Sequence, residues 1–464
     1  MIIMSEQIAS AGSCASRFGL IMRRHHGAIT AAQWGVVLGY LVLAALPVFL
    51  PLPPDKAHVW NDLSRFANFM LWGIWWPCVI LSVMVLGRMW CGVLCPEGAL
   101  TEWVSRYGLG LGIPRWMKWG GWPFVAFVMT TVFGQMISVY EYPKPTLLIL
   151  GSSTIAAIVV GLIWGREKRV WCRYLCPVSG VFGLLAKIAP VHFKVDQAAW
   201  DAAPPGHRTS RQHVVNCAPL INIRRMESAS ACHMCGRCAG ERGAVQFALR
   251  SPSAEIIGKP GAPEDKPMEL DLWSARLLAF GMLGVALGAF QWRASRWFLV
   301  AKQAAAGWLI DHQVWWPLNE TGHWWLLTYF PEANDVFTWL DGGVLLAYIG
   351  AEAFIIGGWV WGWLRLAGAL TGSPWQRLAQ TLIPFAGINV FVGLSLLTTS
   401  RLAREGVTLP WAHGARIVLL ALGALWGASL AWQLAKRSRA VAALAIAMAT
   451  ALPLAAWSMQ FFVW

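Results

Sequence analysis

The chain has 464 residues, 57% of them hydrophobic and only 13% charged, where an ordinary soluble domain carries about 25% charged residues. That deficit excludes a conventional soluble protein and makes lipid the main solvent. The net charge of +14 comes without a long Lys/Arg run, so it is read as basic residues kept on the cytoplasmic side of a membrane, and nucleic acid is excluded as a partner.

Residues 1–30 have no apolar h-region, and Arg23-Arg24-His25-His26 directly precede the first apolar stretch. This is a signal-anchor layout with the N-terminus in the cytoplasm, and Cys14 within it reads as a free thiol. Spanning helices need about 20 apolar residues. They are expected near 31–50 and 66–88, with an outer loop containing Pro51, Pro53 and Pro54 between them. Cys78, beside Pro77, reads as a packed apolar thiol of the second span. Residues 97–118 mix charge with Leu and Trp, which predicts an interfacial helix. Further spans follow near 119–140 and 146–165, the latter closing on Arg166-Glu167-Lys168-Arg169. A short amphipathic helix is expected at 178–189.

The polar stretch 190–270 predicts a small cytoplasmic module that draws much of its folding energy from bound metal. Five more spans are expected near 272–292, 341–364, 381–400, 411–434 and 441–463. This places Lys436, Arg437 and Arg439 inside, but Arg293, Arg296, Lys302, Arg401 and Arg404 outside, against the charge bias. The Trp-rich segment 296–338 predicts helices lying on the outer interface. The predicted fold is an all-α polytopic membrane protein, with about nine transmembrane helices and a small cytoplasmic ferredoxin-like iron–sulfur module. Its parts are a membrane domain over 1–190, the module over 191–270 and a second membrane domain over 271–464.

The chemistry lies in the cysteines. Arg88-Met89-Trp90-Cys91-Gly92-Val93-Leu94-Cys95-Pro96 returns as Arg169-Val170-Trp171-Cys172-Arg173-Tyr174-Leu175-Cys176-Pro177, each copy following an apolar span. Cys232-x2-Cys235-x2-Cys238 follows, with Cys217 upstream. Eight thiols make two sets of four, and four thiolates are what a [4Fe-4S] cluster takes. A bacterial ferredoxin writes its ligands C-x2-C-x2-C-x3-C-P, but its fourth position here is Arg242, so the fourth ligand must come from elsewhere. The expectation is one cluster on Cys232, Cys235, Cys238 and one cysteine of a C-x3-C-P pair, and a second on Cys217 and the remaining three. Tetrahedral zinc and disulfides are the competing uses of the same thiols.

The twin C-x3-C-P elements followed by C-x2-C-x2-C resemble the NapH/NosR/CcoG-type membrane polyferredoxins over roughly residues 60–250. The resemblance implies two [4Fe-4S] clusters at the cytoplasmic face of a bacterial inner membrane. It implicates Cys91, Cys95, Cys172, Cys176, Cys232, Cys235 and Cys238 as ligands, with Cys217 as the eighth. It also implies electron transfer between a quinol or cytoplasmic donor and a partner redox enzyme, a periplasmic one among the options, rather than stand-alone catalysis. The alternative role is maturation: reduction of a metal ion, or assembly of a periplasmic metalloenzyme. The five-span C-terminal block has no counterpart in this resemblance.

Other residues carry two readings each. Glu352, mid-span, is a proton or quinone site, or a carboxyl hydrogen-bonded in helix packing. His312, His323 and His413 are interfacial side chains or ligands of a haem or metal, though no C-x-x-C-H motif occurs. His233 and His213 tune a cluster through hydrogen bonds or are merely solvated. Arg88, Arg169, Arg173 and Arg237 either favour a reduced cluster or only signal topology. No G-x-G-x-x-G fingerprint, P-loop or Ser/His/Asp set is present, which excludes a nucleotide-driven pump and a hydrolase.

Overall fold

The computed structural model describes residues 14–54, 56–203, 215–226, 228–258, 268–435 and 437–464. His213 and Lys436 therefore lie outside the described residues. The chain is mostly helical, and eight helices among the described residues are long and apolar enough to cross a membrane. They are α2 (His26–Phe49), α3 (Leu63–Leu86), α6 (Pro143–Trp164), α8 (Leu272–Gln291), α10 (Trp339–Thr371), α11 (Trp375–Arg404), α12 (Ala412–Leu434) and α13 (Arg439–Phe462).

Between them lie α1 (Cys14–Arg24), α4 (Pro96–Val104), α5 (Trp122–Met136), α7 (Ser179–Leu185) and α9 (Arg296–Asp311). Eight of the nine expected spans are thus present. The ninth, expected at 119–140, is the 15-residue α5, about 22 Å long and too short to cross the ~30 Å core. It stops at Ser138, whose φ of +53° turns the backbone out of the helix while the Val139 N–H returns to the Gly134 carbonyl at 2.9 Å, and Thr328 donates to the freed Met136 carbonyl from its backbone N–H (2.9 Å) and its Oγ1 (3.0 Å).

The chain forms two compact units. The first draws on Met1–Leu41, Leu81–Trp119 and Ser153–Ala262. Its centre is an antiparallel pair that the all-helical expectation did not contain: β1 (Val191–Val195) and β2 (Val245–Leu249), with Phe193 opposite Phe247 and Val195 opposite Val245. These side chains bury against Ile223, Cys232, Met234 and Ala239. Helix α1 closes this core. Phe18 packs on Phe247 with ring centroids 5.3 Å apart, and Arg23 donates to the Ala239 carbonyl at 2.7 Å. Gly236, at φ +78°, has Met22 so close that a Cβ would stand 2.6 Å from it, so both its backbone angle and its packing require glycine. Helix α7 was expected to be amphipathic. It is buried all round instead, with Val181, Phe182, Leu184 and Leu185 at most 3% exposed.

The second unit draws on Val42–Ile80, Gly120–Ser152 and Pro263–Trp464. Two of its spans contain π-helical turns, Phe69–Trp75 in α3 and Leu277–Val285 in α8. Such turns leave backbone carbonyls short of donors, and α11 supplies them. Thr398 Oγ1 donates to the Gly73 carbonyl. Asn389 Nδ2 donates to the Met282 carbonyl at 2.8 Å and itself accepts from Trp457 Nε1 at 2.6 Å. The Trp-rich segment contains one helix, α9, followed by irregular chain with a two-residue strand pair. Trp297, Trp308, Trp315, Trp316 and Trp325 are exposed there.

Candidate metal centre

The two nine-residue repeats fold as the same turn. Each begins with one turn of helix, Met89–Val93 or Val170–Tyr174. In the first copy Leu94 and Cys95 both donate to the Trp90 carbonyl, each at 2.9 Å. In the second, Leu175 and Cys176 donate to Trp171 at 2.9 and 3.0 Å. Proline then starts the next segment. In the first copy Cys95 caps α4, its sulfur accepting the Gly98 N–H at 3.4 Å, while Pro96 at the first helical position needs no partner for an N–H.

Two buried arginines hold the copies to each other and to the third cysteine group. Arg88 donates to the Ser230 carbonyl at 2.8 Å and to Ser179 Oγ at 3.1 Å, and Ser179 passes the bond to the Cys172 carbonyl at 2.8 Å. Arg169 donates to the Cys91 carbonyl and to Glu102 Oε2, the latter at 2.7 Å. Glu102 is shared with Arg237, which comes from the third group. The Arg169 backbone N–H also bonds the Ala218 carbonyl at 2.8 Å, tying the residue after Cys217 to the second copy. Gly92 lies against the third group so closely that a Cβ would stand 2.0 Å from the His233 carbonyl oxygen and 2.9 Å from the Cys235 nitrogen.

All eight cysteines are thus gathered within the first unit, and all ten cysteines of the chain are free thiols. Cys91, Cys172 and Cys232 are buried. Burial pushes the Cys95 thiol well above its usual range, and Cys91 and Cys172 add to the rise. Burial likewise raises Cys172 to about 12, with Arg169 opposing and Cys91 reinforcing. Cys176 rises through burial and then through Glu97, Cys172, Cys95 and Cys91.

In the other set, burial and then Cys235 and Cys217 raise Cys238 to about 12. Burial and then Cys238, with Cys235 and Cys217, raise Cys232. Cys217 rises through burial and feels Cys235. The thiols therefore act on one another in two fours: Cys91, Cys95, Cys172 and Cys176, and Cys217, Cys232, Cys235 and Cys238. In this electrostatic grouping the two C-x3-C-P pairs fall together and Cys217 falls with the C-x2-C-x2-C run.

Arg169 lies between the sets and feels a thiol of each, Cys172 and Cys235. Burial alone would raise the Glu102 carboxyl, but Arg169 and Arg237 beside it hold it below its ordinary value. His233 is 2% exposed, and burial, followed by Arg88, Arg169 and Arg173, pushes it well below its ordinary value. It is therefore a buried imidazole, not a solvated one.

These donors suit iron–sulfur clusters. A buried thiol resists ionisation unless a cation compensates it, and coordinated iron does so. Among the described residues, no group of three or more His, Cys, Asp or Glu side chains is placed to hold a single metal ion. Such clusters would be held by the two fours given above.

The remaining candidates do not join the site. Cys78 is exposed on the outer surface of α3 rather than packed, and Cys14 is an exposed free thiol. His312 and His323 pair locally with the carbonyls of Trp308 (2.8 Å) and Thr321 (2.6 Å). His413 rests on the Phe461 ring at 5.1 Å. Glu352 packs against Gly288 of α8.

Residues 68–116 and 146–196 each match the family described as 4Fe-4S binding domain, and each match contains one C-x3-C-P element. The chain is 24% identical over 238 residues to the "Putative electron transport protein YccM" of Escherichia coli K12, covering 45% of this chain and 62% of that protein. It is 27% identical over 177 residues to the Regulatory protein NosR of Pseudomonas aeruginosa, covering 33% of this chain and 24% of that protein. It is also 23% identical over 217 residues to the Ferredoxin-type protein NapH of Haemophilus influenzae, covering 43% of this chain and 74% of that protein. The chain thus spans less than two thirds of the first two relatives. No solved structure matches. The resemblance carried by the twin motifs holds: the chain contains two matches to a 4Fe-4S binding domain and is similar to ferredoxin-type and electron-transport proteins.

Proposed function

We propose that the chain is an electron carrier of a bacterial inner membrane, with two [4Fe-4S] clusters on the cytoplasmic side. Electrons would pass between a quinol or cytoplasmic donor and a partner redox enzyme, with a periplasmic partner favoured because the relay sits in the membrane that faces it. One cluster is assigned to Cys91, Cys95, Cys172 and Cys176 and the other to Cys217, Cys232, Cys235 and Cys238. The observation that carries this reading is that eight buried or half-buried thiols gather in one unit, where Arg169 bonds the Cys91 carbonyl and Glu102 and Gly92 meets the third cysteine group.

When bound, each cluster supplies a one-electron store whose potential follows charge, hydrogen bonding and burial. The residues of this chain set those terms. Arg169 places a fixed positive charge between the sets, which favours added negative charge on either side of it. The Gly92–Cys235 contact keeps the sets adjacent, so an electron need not leave the unit to move between them. Buried His233 lies within the C-x2-C-x2-C loop, and α1 ties to its end through Arg23 and the Ala239 carbonyl. The division into two membrane domains flanking an iron–sulfur module belongs to the same proposal.

The test is iron analysis with EPR of the purified, reduced protein. About eight irons per chain are expected. Cys91→Ser and Cys172→Ser should abolish one signal, and Cys217→Ser and Cys238→Ser the other. About four irons in the unaltered protein would refute the two-cluster count, and loss of one shared signal in Cys91→Ser and Cys238→Ser would refute the partition.

A further inference from the structure

The second unit contains a cavity of about 620 Å³ where the ends of α8, α11, α12 and α13 meet the segment after α5. Its wall is amphipathic. Phe290 and Leu396 contribute apolar surface, and Arg293, Arg404 and Arg416 contribute charge. One carboxylate, Glu141, lines it and is divided between Arg293 (3.3 Å) and Arg404 (3.5 Å). Arg416 has no such partner. It is 5% exposed and donates only to neutral groups: Ser395 Oγ (2.9 Å), the Ser395 carbonyl (3.0 Å) and Thr399 Oγ1 (2.7 Å). Its Nη1 finds no acceptor among the described residues. A buried guanidinium one turn inside a spanning helix, with no counter-ion, is costly.

We propose that this cavity binds an anionic phospholipid, with the headgroup phosphate against Arg416, Arg293 and Arg404 at the rim, and an acyl chain along the apolar wall. Three observations converge. The cavity carries three arginines against one carboxylate. The charged and apolar parts of its wall match the two parts of a lipid. It also lies where the apolar helices end, the depth of lipid headgroups. Arg293 and Arg404 share the single carboxylate Glu141, Arg401 bonds Asn68 and Lys302 pairs with Asp341, so Arg416 is the cavity arginine with no carboxylate beside it among the described residues. The proposal goes beyond the electron-transfer reading and does not depend on it.

Native mass spectrometry of the full chain in detergent tests this, with dioleoyl-phosphatidylglycerol, dioleoyl-phosphatidylcholine and inorganic phosphate as separate additives. One phosphatidylglycerol should be retained in preference to phosphatidylcholine. Arg416→Gln should weaken that retention about ten-fold, the scale of one charge-assisted contact. Arg404→Gln, on the open rim, should weaken it about three-fold and serves if Arg416→Gln does not fold. Equal retention of the two lipids would overturn the proposal, as would retention unchanged in the folded variants. Thermal stabilisation by inorganic phosphate equal to that by phosphatidylglycerol would also overturn it, making the site one for a free anion.

Discussion

The two nine-residue repeats are alike in local geometry and unlike in what surrounds them. Both make the same turn on a tryptophan carbonyl. At the position after the first cysteine, however, one copy has Gly92 pressed on the His233 carbonyl, and the other has an exposed Arg173. At the leading position, Arg169 is ion-paired to Glu102, whereas Arg88 bonds only neutral oxygens. The shared letters of a repeat thus encode the turn, and the differing letters record which copy faces the third cysteine group. Topology signalling alone does not require buried, cross-linking arginines, so their role as clamps is the firmer reading.

The largest break in this comparison comes from adding one methyl. Gly92→Ala meets backbone, not a flexible side chain, so it should cost about 3 kcal/mol or more and lower bound iron. Arg173→Ala at the matching position should change stability by no more than about 0.5 kcal/mol. Chemical denaturation with iron analysis would check both, and equal losses would erase the distinction between the copies.

The next break removes the clamps. Arg169→Gln leaves Glu102 with Arg237 alone and should cost about 3–5 kcal/mol, while Arg88→Gln should cost about 1–3 kcal/mol. Acid sharpens this difference. The native Glu102 carboxyl lies below its ordinary 4.5, so it binds fewer protons folded than unfolded. Its stabilisation is full above pH 4.5 and drains as pH falls through the native value. Unfolding curves below pH 4.5 should therefore be less acid-sensitive in Arg169→Gln than in Arg88→Gln. A smaller effect than that of either clamp comes from a tryptophan of the second copy. Trp171→Phe loses the 3.1 Å bond to Glu97 and should cost about 1 kcal/mol in the same measurement.

The repeats, the eight thiols and eight of the spans were legible because each is written in a short, contiguous signal. The way their segments meet was not. It depends on Gly92 meeting His233, a contact between segments that share no motif. The β1–β2 pair escaped for the same reason, its strands being separated by the whole cysteine loop. The shortness of α5 comes from the left-handed turn at Ser138, a conformation that a serine does not announce as a glycine would. Cys78 misled because an apolar run does not say which side of a helix meets protein and which meets lipid.

Helix α1 imposes an order on biogenesis. Arg23 waits for the carbonyl of Ala239, 216 residues later, and at roughly 5–20 residues per second a ribosome needs on the order of ten to forty seconds to deliver it. During that interval Phe18 and Met22 have no β-pair to cover, and the loop that will hold Cys232, Cys235 and Cys238 does not yet exist. A segment made well before its partner is thus a late-closing lid, and any machinery that loads iron has a natural window before it shuts.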